Sequence, residues 1–112
     1  MSDCLFCKII SGEIPSSKVY EDDVCLAFND IDPQAPVHFL VIPKTHIGSV
    51  AEVNGGNSAV VAHIFEVIAK ITKEKNIESY RVVSNIGEQA GQSVHHLHFH
   101  VLAGRDMTWP PG

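Results

Sequence analysis

The sequence has no excess of basic over acidic residues. Its 112 residues include only 8 Lys and Arg residues against 13 Asp and Glu residues, which gives a net charge of −5 with histidine counted as neutral. The lysines, for example Lys44 and Lys70, are scattered and form no patch. Because no positive field runs along the chain, we expect no long nucleic-acid partner. A small anionic ligand is compatible with this charge, since backbone N–H groups and a few imidazoles can hold a phosphate locally.

Cysteines and long apolar runs are also scarce. The three cysteines are odd in number and two of them form Cys4-x-x-Cys7, so a secreted disulfide framework is not expected. The N-terminal segment lacks the continuous apolar stretch of a signal peptide. The longest apolar region, residues 59–71, is interrupted by polar side chains such as Glu66. We therefore expect a cytoplasmic protein with no membrane partner.

The sequence predicts a single α+β domain over residues 1–112. A short helix is expected at residues 4–10, ahead of Gly12, and a long amphipathic helix from residue 57 or 58 to about residue 75. Five strands are predicted, at residues 18–20, 24–28, 38–42, 80–84 and 96–102. Because helices and strands do not alternate regularly along the chain, a mainly antiparallel sheet is favoured. The wide apolar stripe of the long helix and an apolar edge strand further predict a homodimer.

Three histidines alternate with apolar residues in the predicted last strand. Because side chains alternate across a strand, His96, His98 and His100 are expected on one face, about 6.5–7 Å apart. Histidines spaced in this way can chelate one metal, or one imidazole can attack phosphorus while its neighbours donate hydrogen bonds. The preceding loop, with Gly91 and Ser93, offers backbone N–H groups and a hydroxyl to a phosphate. This loop favours the second interpretation.

The stretch from Gly91 to Leu102 resembles the defining motif of the histidine triad (HIT) family, in which three histidines alternate with apolar residues. The similarity covers nearly the whole chain and is least diagnostic over residues 51–79. Segments that resemble the Hint branch of nucleotide-binding proteins include residues 20–23, 33–36, 38–44 and 109–112. The resemblance implies a HIT-like fold, with a five-stranded sheet, one long helix and a short N-terminal helix, and a homodimeric assembly.

For activity, the resemblance implies a purine nucleoside phosphoramidase, a hydrolase that cleaves the P–N bond of AMP or GMP conjugates with amines. His98 would be the nucleophile and would form a nucleotidyl-histidine intermediate that water then hydrolyses. His100 and Ser93 would contact the phosphate or the leaving group. His38 would adjust the hydrogen bonding of the central imidazole. No cofactor would be required for this chemistry.

The same resemblance implies a nucleotide-binding site around these residues. The further side chains and backbone positions that would contact the nucleotide are Phe28, Asp30, Ile31, Asn85, Gly91 and Gln92. Gln92 and Asn85 would help orient the phosphate or the leaving group, and Phe28 and Ile31 would line the base pocket. Asp30 would accept hydrogen bonds from the ribose hydroxyls, a role that suits a carboxylate beside a diol, although residues 29–33 are also typical of a turn.

The Cys4-x-x-Cys7 spacing is half of a zinc site, and two further ligands would have to come from elsewhere. Some HIT proteins bind a structural zinc through such a cysteine pair, a histidine after a Pro-Lys segment and the first histidine of the triad. The resemblance therefore implies a ligand set of Cys4, Cys7, His46 and His96. Such a zinc would stabilise the fold without joining the chemistry. The alternative is that these four residues are present but bind no metal. The third cysteine, Cys25, is expected to be buried as a small apolar residue.

Other functions are compatible with the same residues. One is an enzyme of another HIT branch, a dinucleoside polyphosphate hydrolase or a nucleotidylyltransferase. Another is a nucleotide sensor or protein-interaction module with vestigial hydrolysis. A structural zinc module is the third, although it would leave the glycine loop, His98 and His100 without a purpose. In the enzyme, Trp109 of the Pro-rich tail is expected to pack near an active site and to shape leaving-group selection.

Overall fold

The structure, a computed structural model, describes residues 3–112, so the first two residues of the predicted domain lie outside the described part. The helices and strands in chain order are α1 Leu5–Ser11, β1 Lys18–Glu21, β2 Cys25–Asn29, β3 Val37–Pro43, α2 Ser58–Glu74, β4 Tyr80–Val83 and β5 Phe99–Ala103. The strands form one sheet in the order β1-β2-β3-β5-β4, and every neighbouring pair is antiparallel. This architecture confirms the predicted α+β fold.

The two faces of the sheet bury different side chains because side chains alternate along each strand. Cys25 of β2 lies in the core beneath α2, whereas its neighbour Leu26 lies in a second core beneath α1. Leu40 of β3 belongs to the α1 core and pairs with His100 of β5, so His100 lies on the α1 face as well. His38 precedes Leu40 by two residues and lies on the same face. The sheet therefore brings His38 and His100 together from different strands.

Helix α1 is seven residues long and is stabilised by its ends and by docking. At its start, the backbone N–H of Cys7 donates to Cys4 Sγ over 3.4 Å. At its end, the N–H of Gly12 donates to the carbonyl of Ile9, and Gly12 has a φ of 87°, a conformation without strain only for glycine. A helix this short is not stable alone in water, so burial of Phe6 and Ile9 must hold it.

Helix α2 follows the predicted helical periodicity. Its buried face carries Ile64, Val67, Ile68 and Ile71, which all pack into the core beneath it. Phe65 lies at the margin of this face and is 47% exposed. Neither this helix nor any other in the described residues has the length and apolar character needed to span a membrane.

A carboxylate fastens α2 to the first hairpin. Asp22, between β1 and β2, accepts hydrogen bonds from the backbone N–H groups of Val24 and Cys25 and from the hydroxyl of Tyr20, at 2.8, 2.9 and 2.9 Å. His63 of α2 lies 2.7 Å from the same carboxylate. Burial would raise the pKa of Asp22, but these hydrogen bonds together hold it well below its usual range. Asp22 therefore stays ionised and bound to α2.

The last strand begins later than predicted. Strand β5 begins at Phe99, three residues after the predicted start at His96. The segment before it binds another partner, because the N–H of Leu97 donates to the carbonyl of Ile47 over 2.6 Å. Leu97 is still buried in the α2 core. Alternation along the sequence thus predicted which side chains are buried but not where pairing within the sheet stops.

Candidate active site

A hydrogen bond to a backbone carbonyl determines which ring nitrogen of His98 carries the proton. Its Nδ1 lies 2.7 Å from the backbone oxygen of His96. Because a carbonyl oxygen only accepts, Nδ1 carries the proton and Nε2 keeps its lone pair in the neutral ring. The rings of Phe6 and His100 both contact this imidazole edge to face, each with centroids 5.1 Å away. His98 is therefore an oriented imidazole with one nitrogen available as a base or nucleophile.

A chain of hydrogen bonds sets the proton on His100. The backbone N–H of Gln34 donates to His38 Nδ1 over 3.0 Å. Neutral His38 must then carry its proton on Nε2, which lies 2.9 Å from His100 Nδ1. His100 Nδ1 accepts this bond, so its own proton lies on Nε2. His38 thus bonds to His100, whose ring contacts that of His98, so the expected influence of His38 on the central imidazole stays a prediction.

His100 is uncharged near neutral pH. Burial is the main reason that its pKa falls to about 4, and the neighbouring His98 and His38 lower the pKa further while Asp30 opposes them. A neutral ring with Nε2 protonated is a hydrogen-bond donor without a formal charge. His98 and His100 therefore place a lone pair and a donor side by side.

Both rings line a cavity of about 260 Å³. The lining combines apolar side chains from α1, β2 and β3 with the polar groups of Asp30, Ser93 and the two histidines. In chain order it is formed by Leu5, Phe6, Ile9, Phe28, Asp30, Ile31, Leu40, Ser93, Val94, His98 and His100. Such a lining suits a ligand that has a flat apolar part and a polar or anionic part.

Asp30 uses its two carboxylate oxygens differently. Oδ1 accepts a hydrogen bond from the N–H of Asp32 over 2.8 Å, as expected of a turn-forming aspartate. Oδ2 lies 3.4 Å from His38 Nε2 and 3.9 Å from His100 Nδ1. Ile31, next in the chain, is fully exposed beside the cavity. The turn and a ligand-binding role are therefore compatible, since one oxygen serves the turn and the other lies beside the histidine pair.

The glycine loop presents Ser93 but turns Gln92 inward. Ser93 is exposed and lines the cavity with His98. The amide of Gln92 is buried and bonded to backbone groups, so the expected help of Gln92 in orienting a phosphate would act through the loop backbone. Gly91 has a φ of 99°, which favours glycine, and its backbone lies beside the side chain of Asn85. Among the described residues, Gly91 and Asn85 are not part of the cavity lining.

The first histidine of the row does not line the cavity and has its own set of partners. His96 is completely buried, and its Nε2 donates to the carbonyl of Pro43 over 2.9 Å. Its Nδ1 therefore carries a lone pair, and it lies 3.3 Å from Cys4 Sγ, 3.6 Å from Cys7 Sγ and 3.1 Å from His46 Nδ1. His96 therefore belongs to a Cys–His cluster, although its ring, like that of His98, also contacts Phe6.

The cluster has the donor set and the dimensions of a zinc site. The ligand atoms of Cys4, Cys7, His46 and His96 all lie within 4.8 Å of one another, and Cys7 Sγ is 3.4 Å from His46 Nδ1. Tetrahedral zinc with Zn–N near 2.0 Å and Zn–S near 2.3 Å would separate neighbouring ligand atoms by about 3.3–3.8 Å. The bond from His96 to Pro43 also orients that ring as zinc-bound histidines are usually oriented. These residues fit the metal.

Sequence reasoning missed part of the cavity. Leu5, Phe6 and Ile9 of α1 line it together with Leu40 and Val94. The sequence predicted a short helix here but not its position on the sheet. The helix contacts residues distant in the chain, such as His96 through Cys4 and His46 through Cys7, and no local signal in the sequence predicts these contacts.

Comparisons with known proteins agree with this geometry. Residues 3–109 match the sequence profile of a family described as scavenger mRNA decapping enzyme C-term binding. An uncharacterised HIT-like protein of Synechococcus elongatus is 49% identical over 111 residues, which cover 98% of this chain and 97% of that protein. A HIT family hydrolase from Legionella pneumophila has a TM-score of 0.95 at 48% identity, covering 98% of this chain and 100% of that one. A histidine triad protein from Clostridium difficile has a TM-score of 0.92 at 51% identity, with 96% of each chain covered.

Proposed function

The chain belongs to the histidine triad (HIT) family, and we propose that within it the chain is a purine nucleoside phosphoramidase of the Hint branch. In this reaction the P–N bond of an AMP–amine or GMP–amine conjugate is hydrolysed. The orientation of His98 carries the proposal, because its Nδ1–H is bonded to a carbonyl and its Nε2 is left as a nucleophile. The hydrolase names of similar structures, such as the one from Legionella pneumophila, support the general class.

The first step forms a covalent intermediate. His98 Nε2 attacks the α-phosphorus, and the P–N bond breaks as the amine leaves with its electron pair and takes a proton. Ser93, which lines the same cavity, relays that proton from water to the amine. The nucleotidyl-imidazolium that forms is positively charged, and its Nδ1–H bond to the carbonyl of His96 strengthens with that charge. The protein therefore stabilises the intermediate more than the free imidazole.

The second step restores the enzyme. Water attacks phosphorus and gives up a proton to solvent, the bond from phosphorus to His98 Nε2 breaks with its electron pair returning to the neutral imidazole, and AMP leaves. His100 donates its Nε2–H to an oxygen of the phosphoryl group in both steps, since the bond from His38 keeps the proton on that nitrogen. A neutral donor stabilises the developing charge on these oxygens and does not need to change protonation state during turnover.

The nucleoside occupies the apolar part of the cavity. Phe28 and Leu40, with Ile31 at the exposed side, contact the base. Asp30 accepts hydrogen bonds from the ribose hydroxyls through the oxygen that the turn does not use. These contacts bind substrate and product alike, so they set affinity more than rate.

We also propose that Cys4, Cys7, His46 and His96 bind a structural zinc ion. Their ligand atoms converge, and both cysteines lie at the start of α1, which contributes Phe6 to the cavity. A bound zinc ion supplies folding free energy at this position. No step of the hydrolysis uses it.

A homodimer is the assembly we propose. Strand β4 lies at the edge of the sheet, and Phe65, whose ring contacts that of Phe99 at 5.2 Å, remains half exposed on the same side. The tail also lies here, because Arg81 of β4 donates to the carbonyl of Thr108 over 3.1 Å, and Trp109 is 83% exposed. A second copy would cover these apolar groups. Sedimentation should give twice the chain mass at micromolar concentration, and a stable monomer there would contradict the dimer.

Substrate comparison tests the activity itself. We expect kcat/KM for an adenosine 5′-phosphoramidate of a primary amine to exceed that for a dinucleoside polyphosphate by at least about a hundredfold, because the cavity of about 260 Å³ holds one nucleoside. Initial rates with both substrates, and with the guanosine analogue, measure this ratio. The reverse preference would assign the chain to dinucleoside polyphosphate hydrolysis, and tight AMP binding without turnover of either substrate would assign it to nucleotide sensing.

A further inference from the structure

Gln92 is buried, whereas the residues on either side of it in the loop are exposed. It is 8% exposed, whereas residues 86–91 and Ser93 are all exposed. Removing the amide of glutamine from water is costly unless its donors and acceptor are all bonded. The burial of Gln92 therefore needs a set of partners inside the loop.

The side chain of Gln92 has these partners, and all of them are backbone groups. Its Oε1 accepts a hydrogen bond from the N–H of Gly87 over 2.9 Å. Its Nε2 donates to the carbonyl of Gly48 over 2.8 Å and to that of Val94 over 3.1 Å. One oxygen facing a donor and one nitrogen facing two acceptors leave a single orientation for the amide.

These bonds join both ends of the loop to a neighbouring segment. Gly87 opens the loop and Val94 closes it, and the backbone N–H of Gln92 also donates to the carbonyl of Gly87 over 3.0 Å. Gly48 lies outside the loop and is held in turn by Glu52, whose carboxylate accepts from its N–H over 3.0 Å. A change in the Gln92 amide would therefore move the loop relative to the Gly48 segment.

We propose that Gln92 is a positioning residue, which places Ser93 and the adjoining backbone opposite His98 so that the loop binds the α-phosphoryl group, while Gln92 itself touches no substrate. This inference rests on the proposed function, since it assigns a phosphoryl group to the space between Ser93 and His98. Ser93 follows Gln92 directly and lines the cavity with His98. The proposed nucleoside contacts come from β2, β3 and the turn between them, so the loop position affects the phosphate and leaves nucleoside recognition unchanged.

Gln92→Glu separates these two contributions. The glutamate can still accept from the N–H of Gly87, but it loses both N–H donors and turns a carboxylate oxygen toward the carbonyls of Gly48 and Val94. We expect AMP to bind at least about tenfold more weakly, while adenosine binds within about twofold of wild type. Gln89→Glu is the matched control, because it adds the same charge at an exposed position of the same loop, and it should change neither affinity.

Calorimetric titration with AMP and adenosine, and thermal unfolding of each variant, decide the matter. Gln92→Met removes the same bonds without adding charge and should reproduce the selective loss if the glutamate variant is unfolded. An equal loss of AMP and adenosine affinity would show a merely structural role and overturn the proposal, as would unchanged AMP affinity in a folded variant. Wild type that binds adenosine as tightly as AMP would overturn it as well. Failure of the proposed hydrolysis is distinguishable, because it shows as absent turnover of phosphoramidates by wild type.

Discussion

Replacing His98 with alanine is expected to lower kcat for an adenosine 5′-phosphoramidate by several orders of magnitude, while AMP affinity stays within about tenfold of wild type. The His98 side chain forms the covalent intermediate of the proposed mechanism, so its loss removes the reaction path. Ground-state binding persists because Asp30, Phe28 and Leu40 lie on other strands and turns. Steady-state kinetics and AMP titration on the same preparation measure both quantities.

His95→Ala is the matched control for this variant. His95 is the fourth histidine of this region, and its side chain is 78% exposed, with Nε2 4.0 Å from Glu52. It does not line the cavity of His98 and should retain wild-type turnover. Rapid-quench experiments on wild type should trap AMP on the protein, and His98→Ala should trap none. Near-normal turnover of His98→Ala, or inversion of configuration at phosphorus where two displacements require retention, would show that His98 is not the nucleophile.

The fold was largely predictable because its elements carry strong local signals. The 17-residue helix α2 follows from the spacing of its apolar residues, and the first hairpin follows from two apolar runs around a polar turn. The start of strand β5, by contrast, was not predictable from local sequence. Alternation continues back to His96, yet the N–H of Leu97 pairs with Ile47, which is fifty residues away in the chain. Only the tertiary structure decides between these two partners.

The site residues were likewise predictable only in part. The sequence motif predicted the neighbourhood of His98, His100 and Ser93, which do line one cavity. The motif did not reveal that His38 bonds to His100, because the tautomer of His38 depends on the backbone N–H of Gln34 in a separate turn. Residue type suggested a ligand-binding role for Gln92, but a side-chain amide can form hydrogen bonds with backbone groups equally well. Hydrogen-bond partners far apart in sequence determine these roles, and spacing does not encode them.

Replacing both Cys4 and Cys7 with serine is expected to lower the melting temperature by roughly 10–20 °C, which for a domain of this size corresponds to a loss of about 3 kcal/mol. The two thiol groups converge with His46 and His96, and serine hydroxyls are poor zinc ligands. Without the metal, α1 is held by its caps and by packing of its apolar residues, Phe6 and Ile9 above all. Calorimetry of wild type and the double variant measures the difference.

A chelator provides the control for the cysteine variant. It should lower the melting temperature of wild type toward that of Cys4→Ser/Cys7→Ser and leave the variant unchanged, because only wild type has metal to lose. The folded variant should keep kcat within about tenfold of wild type, since the carbonyl of His96 that orients His98 is a backbone group and survives both substitutions. Elemental analysis should find one zinc per wild-type chain. Equal melting temperatures with and without chelator would rule out a stabilising metal, and complete loss of activity in a folded variant would mean that the cluster takes part in the chemistry.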